Sequence, residues 1–153
     1  MMKKSNWPPI KHSTYISIKP SVVFETLTTS KGWDSWFTQG TTIDAKKGGF
    51  IKLRWKNFGA GRFTLEDGGA ILEFKKNRKL RFQWFPSSSP SVVEINLKPL
   101  GAGTFVELVE KGCASKIGDL KTLIGCATGW GEALTLLKFY LEYGVKYGSV
   151  PKG

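Results

Sequence analysis

The stretch Asp119–Gly144, DLKTLIGCATGWGEALTLLKFYLEYG, decides the fold. Leu120, Leu123, Ile124, Ala127, Trp130, Leu134, Leu137 and Leu141 recur at steps of three and four, which lays one apolar stripe along a helix. Gly125, Gly129 and Gly131 fall in its first half, with Gly118 just ahead. An interior glycine costs a helix roughly 1 kcal/mol against alanine. The helix is therefore expected to be looser or kinked before Trp130 and regular from Ala133 to Tyr143. The glycines have two readings: a mobile segment over a cavity mouth, or close backbone packing on a sheet.

Upstream the period changes from helical to alternating. Ile10–Lys19 alternates with Ile10, His12, Thr14, Ile16 and Ile18 on one face, and so predicts a strand. Pro20 suits a first helical turn, where its missing N–H is not needed. Val23, Phe24 and Leu27 give that short helix an apolar face, Ser30-Lys31-Gly32 is expected to break it, and a second short helix is expected over Trp33–Phe37. Phe50–Lys56 is a strand with Ile51, Leu53 and Trp55 inward and Lys52, Arg54 and Lys56 outward. Arg62–Glu66 predicts another, ended by Asp67-Gly68-Gly69 as a hairpin turn. Later strands carry inward sets at Leu72 and Phe74, at Leu80, Phe82 and Trp84, at Val93, Ile95 and Leu97, and at Val106 and Leu108. The segments Lys75–Lys79, Pro86–Pro90 and Pro99–Gly103 read as connections. Short strands joined by tight turns, with helices outside the strand run, imply an antiparallel meander and an α+β domain. Residues 1–9 read as a loose arm and residues 10–150 as a single domain.

Composition limits the function classes. A chain of 153 residues buries roughly two-thirds of its unfolded surface and needs no disulfide staple. Six Trp and ten Phe imply either a thick core or a cavity lined with rings. No secretory signal follows Lys3 and Lys4, and no apolar run approaches membrane-spanning length, so the chain reads as cytoplasmic, without membrane insertion. The net charge of +11 favours acidic partners. Lys52, Arg54 and Lys56, joined by Arg62 and Arg81 from neighbouring strands, form a basic stripe that reads mostly as a solvated face and otherwise as a dock for an acidic protein surface. The absence of interleaved stacking aromatics argues against nucleic acid.

The same segments, in order, resemble a known family. They are Pro20-Ser21-Val22-Val23-Phe24-Glu25-Thr26-Leu27-Thr28, Trp36-Phe37, Gly69-Ala70-Ile71-Leu72-Glu73-Phe74, Lys79-Leu80-Arg81-Phe82-Gln83-Trp84, Gly103-Thr104-Phe105-Val106-Glu107-Leu108, and Gly129-Trp130 with Leu134, Leu137, Leu141, Glu142 and Gly144. The pattern is similar to the activator of heat-shock protein ATPase homologue family, within the START and birch-pollen-allergen type helix-grip superfamily (SRPBCC). The resemblance implies a helix-grip fold: a curved antiparallel sheet wrapped around a long C-terminal helix, two short helices after the first strand, and a cavity able to take an apolar ligand. It does not imply an enzyme. The co-chaperones that give the family its name carry an additional N-terminal domain, for which this chain has no room.

Chemistry-bearing residues are few. His12 is the single histidine and reads either as a hydrogen-bonded structural residue or as a pocket acid or base. One His with Cys113 and Cys126 matches no zinc pattern, and Gly59-Ala60-Gly61-Arg62 precedes a strand, not a helix, so neither a metal nor a nucleotide cofactor is expected. Alternation carries Glu110 to the inward side. It is expected either at a cavity mouth, as ligand anchor or base, or already in solvent or paired with Lys111 or Lys116. Trp55, Phe74, Phe82, Trp84 and Trp130 are expected between sheet and helix with Leu53 and Leu134, and Trp36 and Phe37 are expected to close one end. The leading expectation is non-catalytic binding of a small apolar or aromatic molecule. The alternatives are a protein-interaction module acting on a chaperone ATPase and a pocket cyclase or hydrolase. The chain is expected to be a monomer or a dimer.

Overall fold

The computed structural model describes residues 7–87, 89–112 and 120–146. Cys113, Lys116, Gly118, Asp119 and the first six residues of the arm lie outside them. The chain runs β1 (Ile10–Ile16), α1 (Pro20–Thr28), α2 (Ser30–Trp36), β2 (Thr42–Ile43), β3 (Phe50–Phe58), β4 (Phe63–Lys75), β5 (Lys79–Trp84), β6 (Ser91–Leu100), β7 (Gly103–Lys111) and α3 (Leu120–Tyr143). The seven strands form one antiparallel sheet in the order β1-β7-β6-β5-β4-β3-β2. The long helix, two short helices and meander match the α+β helix-grip architecture expected from the sequence. No helix among the described residues is long and apolar enough to cross a membrane.

Two local expectations are overturned. The break between the short helices is at Thr29, not at Ser30-Lys31-Gly32. Thr29 is extended (φ −125°), and its Oγ1 accepts the Gly32 N–H at 2.9 Å, an N-cap that starts α2 three residues before Trp33. A Cβ on Gly32 would stand 2.4 Å from the Thr26 carbonyl oxygen, so glycine there allows α2 to close on α1.

Asp67-Gly68-Gly69 is not a turn. β4 passes straight through it, with Asp67 opposite Leu53, Gly68 opposite Lys52 and Gly69 opposite Ile51. A Cβ on Gly68 would lie 2.0 Å from the Ile51 carbonyl oxygen, and one on Gly69 would lie 2.5 Å from that of Gln83. The glycines let neighbouring strands crowd together where the sheet curves. The turn itself is Gly59–Arg62, closed by the Arg62 N–H on the Gly59 carbonyl at 3.1 Å. Further along β4, a bulge between Ile71 and Glu73 makes Ile71 the buried residue and leaves Leu72 only half-buried.

The core lies between the concave face of the sheet and α3. Ile51, Leu53, Leu80, Phe82, Val93, Ile95, Leu97, Val106 and Leu108 face Trp130, Ala133, Leu134 and Leu137. α3 runs as one helix from Leu120 to Tyr143, through Gly125, Gly129 and Gly131. The His12 Nε2–H donates to the Ala127 carbonyl at 2.8 Å, and Gly131 leaves room for the ring, since a Cβ there would lie 3.3 Å from His12 Cε1. At the far end, Glu142 Oε1 accepts from the Ser17 N–H (2.9 Å) and Oγ–H (2.7 Å). Leu120 and Ile124 stand exposed, so the apolar stripe is not buried along the whole helix.

These close approaches separate two similar substitutions. Gly68→Ala is expected to cost about 3 kcal/mol, because backbone must move. Gly61→Ala, where a Cβ meets nothing within 4 Å, is expected to stay within about 0.5 kcal/mol of the parent. Urea midpoints of the two variants check the contrast.

Candidate functional site

A cavity of about 370 Å³ opens between the β3–β4 end of the sheet and the first half of α3. Trp55 from β3, Phe63, Leu65 and Asp67 from β4, and Trp84 from β5 form its floor, with Pro86 beside them. Phe37 closes the α2 side, and Thr122, Gly125, Cys126, Gly129 and Trp130 of α3 form the roof. The lining is almost wholly apolar, and Asp67 is its one charged residue among those described.

Ring contacts hold the walls. Trp33 stacks on Trp36 (5.2 Å between centroids), Trp36 stacks on Phe37 (5.0 Å), and Phe37 meets Trp55 and Phe58 edge-on at 5.4 and 5.3 Å. On the opposite side, Trp84 and Trp130 approach to 5.2 Å at a tilt of 42°. The Trp36 and Trp55 indole nitrogens are buried without a hydrogen-bond partner among the described residues.

Of the sequence-predicted residues, Phe37, Trp55, Trp84 and Trp130 line the cavity. Leu53, Phe82 and Leu134 are core residues that do not reach it, and Trp36 stands behind Phe37. Phe74 packs on Phe24, 5.2 Å between centroids, away from the cavity. His12 is absorbed by its bond to α3 and does not line it.

Glu110 is neither in solvent nor paired with Lys111. It is 1% exposed and sits behind the Trp84–Trp130 pair. Trp130 Nε1–H donates to its Oε1 at 2.7 Å, while Trp84 Nε1–H (2.6 Å) and Ser91 Oγ–H (2.5 Å) donate to its Oε2. Burial raises its pKa above the ordinary 4.5, the three donors oppose the rise, and Asp67 adds a smaller push upward. Asp67 is half-buried. Desolvation raises its carboxyl above 3.8, against the Phe85 and Gly68 amides, which donate to Oδ1 at 2.8 and 2.7 Å.

Sequence reasoning missed Phe63 and Leu65 because it assigned no inward face to the strand that holds them, and Asp67 because it placed a turn there. The inward set of β3, carried across the true register, finds two of them: Trp55 lies opposite Leu65 and Leu53 opposite Asp67. The glycines of α3 fit both sequence readings, each at a different place. Gly131 packs tightly on His12, whereas a Cβ on Gly125 or Gly129 meets nothing within 4 Å, and both line the cavity.

A family model described as Activator of Hsp90 ATPase homolog 1-like protein matches residues 17–142. The chain belongs to this family. No curated protein matches it significantly. Solved structures share the fold. The Aha1 dimer of Colwellia psychrerythraea is 22% identical over 90% of this chain and 98% of its own, with a TM-score of 0.72. SSP2350 of Staphylococcus saprophyticus is 24% identical over 94% and 98%, also at 0.72. CalU16 of Micromonospora echinospora is 21% identical over 94% and 85%, at 0.69.

The Glu110 knot yields two measurable consequences. Its folded pKa is raised, so its contribution to stability is full below the unfolded value near 4.5 and is lost as pH rises through the folded value. Glu110→Gln removes that titration, so wild-type stability relative to the variant should fall as pH rises from 4 to 8. Glu66, Glu73 and Glu142 are shifted the opposite way, and the wild-type-minus-variant difference cancels them. Trp130→Phe deletes one donor to the carboxylate and should cost about 1.5–3 kcal/mol beyond ring loss. Trp36→Phe deletes an N–H that has no acceptor among the described residues and should lack that increment. Denaturant melts of the pair isolate it.

Proposed function

We propose that this protein binds a small apolar or aromatic molecule in the cavity between the sheet and the first half of α3. One observation carries the reading: an apolar-lined space of about 370 Å³ is left open beneath a helix segment containing Gly125 and Gly129. Its size falls within the roughly 300–1,000 Å³ of small-ligand sites. Two interior glycines cost the helix about 2 kcal/mol together, and at these positions no neighbour among the described residues needs the space. The rings of Phe37, Trp55, Trp84 and Trp130 would supply flat apolar contact.

A protein-interaction role is the second reading, favoured by the description of the family. Its basic stripe is weakened as a docking face, because Glu66 holds both Lys52 (3.0 Å) and Arg54 (3.1 Å). A pocket cyclase or hydrolase would need an acid–base pair in the cavity. Among the described residues, Asp67 alone offers it a carboxyl group, with His12 and Glu110 engaged elsewhere.

The test uses N-phenyl-1-naphthylamine, a neutral dye that brightens in apolar surroundings. The wild-type chain should bind it and enhance its emission. Gly129→Leu should abolish the enhancement by filling the roof, while raising stability by about 0.5–1 kcal/mol through helix propensity. A dye that stays dark with the folded wild-type protein, together with empty solvent extracts by mass spectrometry, would sink the reading.

A further inference from the structure

Asp67 is an unusual group to leave in an apolar cavity wall. Both of its amide donors fall on Oδ1, and among the described residues no donor reaches Oδ2. Nor does any Lys, Arg or His among them lie within ion-pair distance of it, although the chain carries 23 Lys and Arg against 12 Asp and Glu. The more exposed carboxylates Asp44, Glu66 and Glu73 each have a lysine partner. An acid with one oxygen fixed by backbone and the other open is a prepared acceptor.

The walls around it favour the same charge. Phe37, Trp55, Phe63, Trp84 and Trp130 surround the space with ring surface, the environment that attracts an ammonium through the ring quadrupole. Trp84 and Trp130 also donate their N–H groups to Glu110. A hydrogen bond to a carboxylate pushes electron density into the indole and strengthens the attraction of its face for a cation. Glu110 thus adds a second negative charge behind the wall. Burial opposes ionisation of both carboxyls, a cost that a cation in the cavity would offset. The overall charge of +11 opposes a cation from afar. Exposed charges are largely screened beyond about 8 Å at physiological salt, so contacts inside the cavity dominate.

We propose that the ligand of this cavity is an organic cation, an apolar or aromatic body carrying a protonated amine that donates to Asp67 Oδ2 while the body lies against the rings. The inference rests on the ligand-binding reading above and deepens it.

Calorimetric titration of the full chain with three probes of one shape tests it: 2-(1-naphthyl)ethylamine, 2-(1-naphthyl)ethanol and 1-naphthylacetate. The amine should bind about tenfold more tightly than the alcohol, and the acetate most weakly. Asp67→Asn should bring the amine down to the affinity of the alcohol without changing the latter. The preference for the amine over the alcohol on the wild-type chain decides the matter should the variant not fold. Equal binding of all three probes, or an amine no tighter than the alcohol, overturns the cation while leaving the cavity reading intact. Failure of all three to bind overturns both.

Discussion

Moving a carboxylate out of water costs several kcal/mol even after the surroundings relax, and the Glu110 side chain has been moved almost entirely. What compensates is a set of three donors from β5, β6 and α3, each bond to a charged acceptor contributing about 1.5–3 kcal/mol. The two sides are comparable, and the upward pKa says that burial is not fully offset. The arrangement therefore acts less as glue than as a geometric specification. Trp84 and Trp130 must present their indole N–H edges to the two carboxylate oxygens, which turns their rings toward the cavity and sets how far α3 stands off the sheet.

Much of the fold was legible because its periods are strong. The alternation of β3, β6 and β7 and the stripe through Trp130, Leu134 and Leu137 each belong to one face packed on one core. Failures occurred where a glycine has more than one use. Asp67-Gly68 has the chemistry of a hairpin turn, but its glycines serve strand crowding, a cause located in Ile51 and Gln83 and invisible from the local sequence. The candidate site suffered from that error directly, since Asp67 is one of its lining residues. Glu110 was placed on the correct face by alternation. Its three donors could not be foreseen, because they arrive from strands and a helix whose relative height is a tertiary quantity.

The three glycines of α3 divide the helix into unlike parts. Gly131 allows the His12 ring to reach the helix backbone, and the following turns carry the core residues Ala133, Leu134 and Leu137. Gly125 and Gly129 hold volume open instead, in the same segment whose Leu120 and Ile124 face outward. Stability is concentrated in the C-terminal part of the helix and space is preserved in the N-terminal part.

The Trp84–Trp130 approach has an optical consequence. Two indoles with centroids 5.2 Å apart and planes inclined at 42° have electronic transitions that mix, one ring belonging to the sheet and the other to the helix. Their coupled circular dichroism in the near ultraviolet depends on the angle between those dipoles. The folded chain thus carries an unlabelled spectroscopic gauge of how its longest helix is seated, positioned where any guest molecule would press.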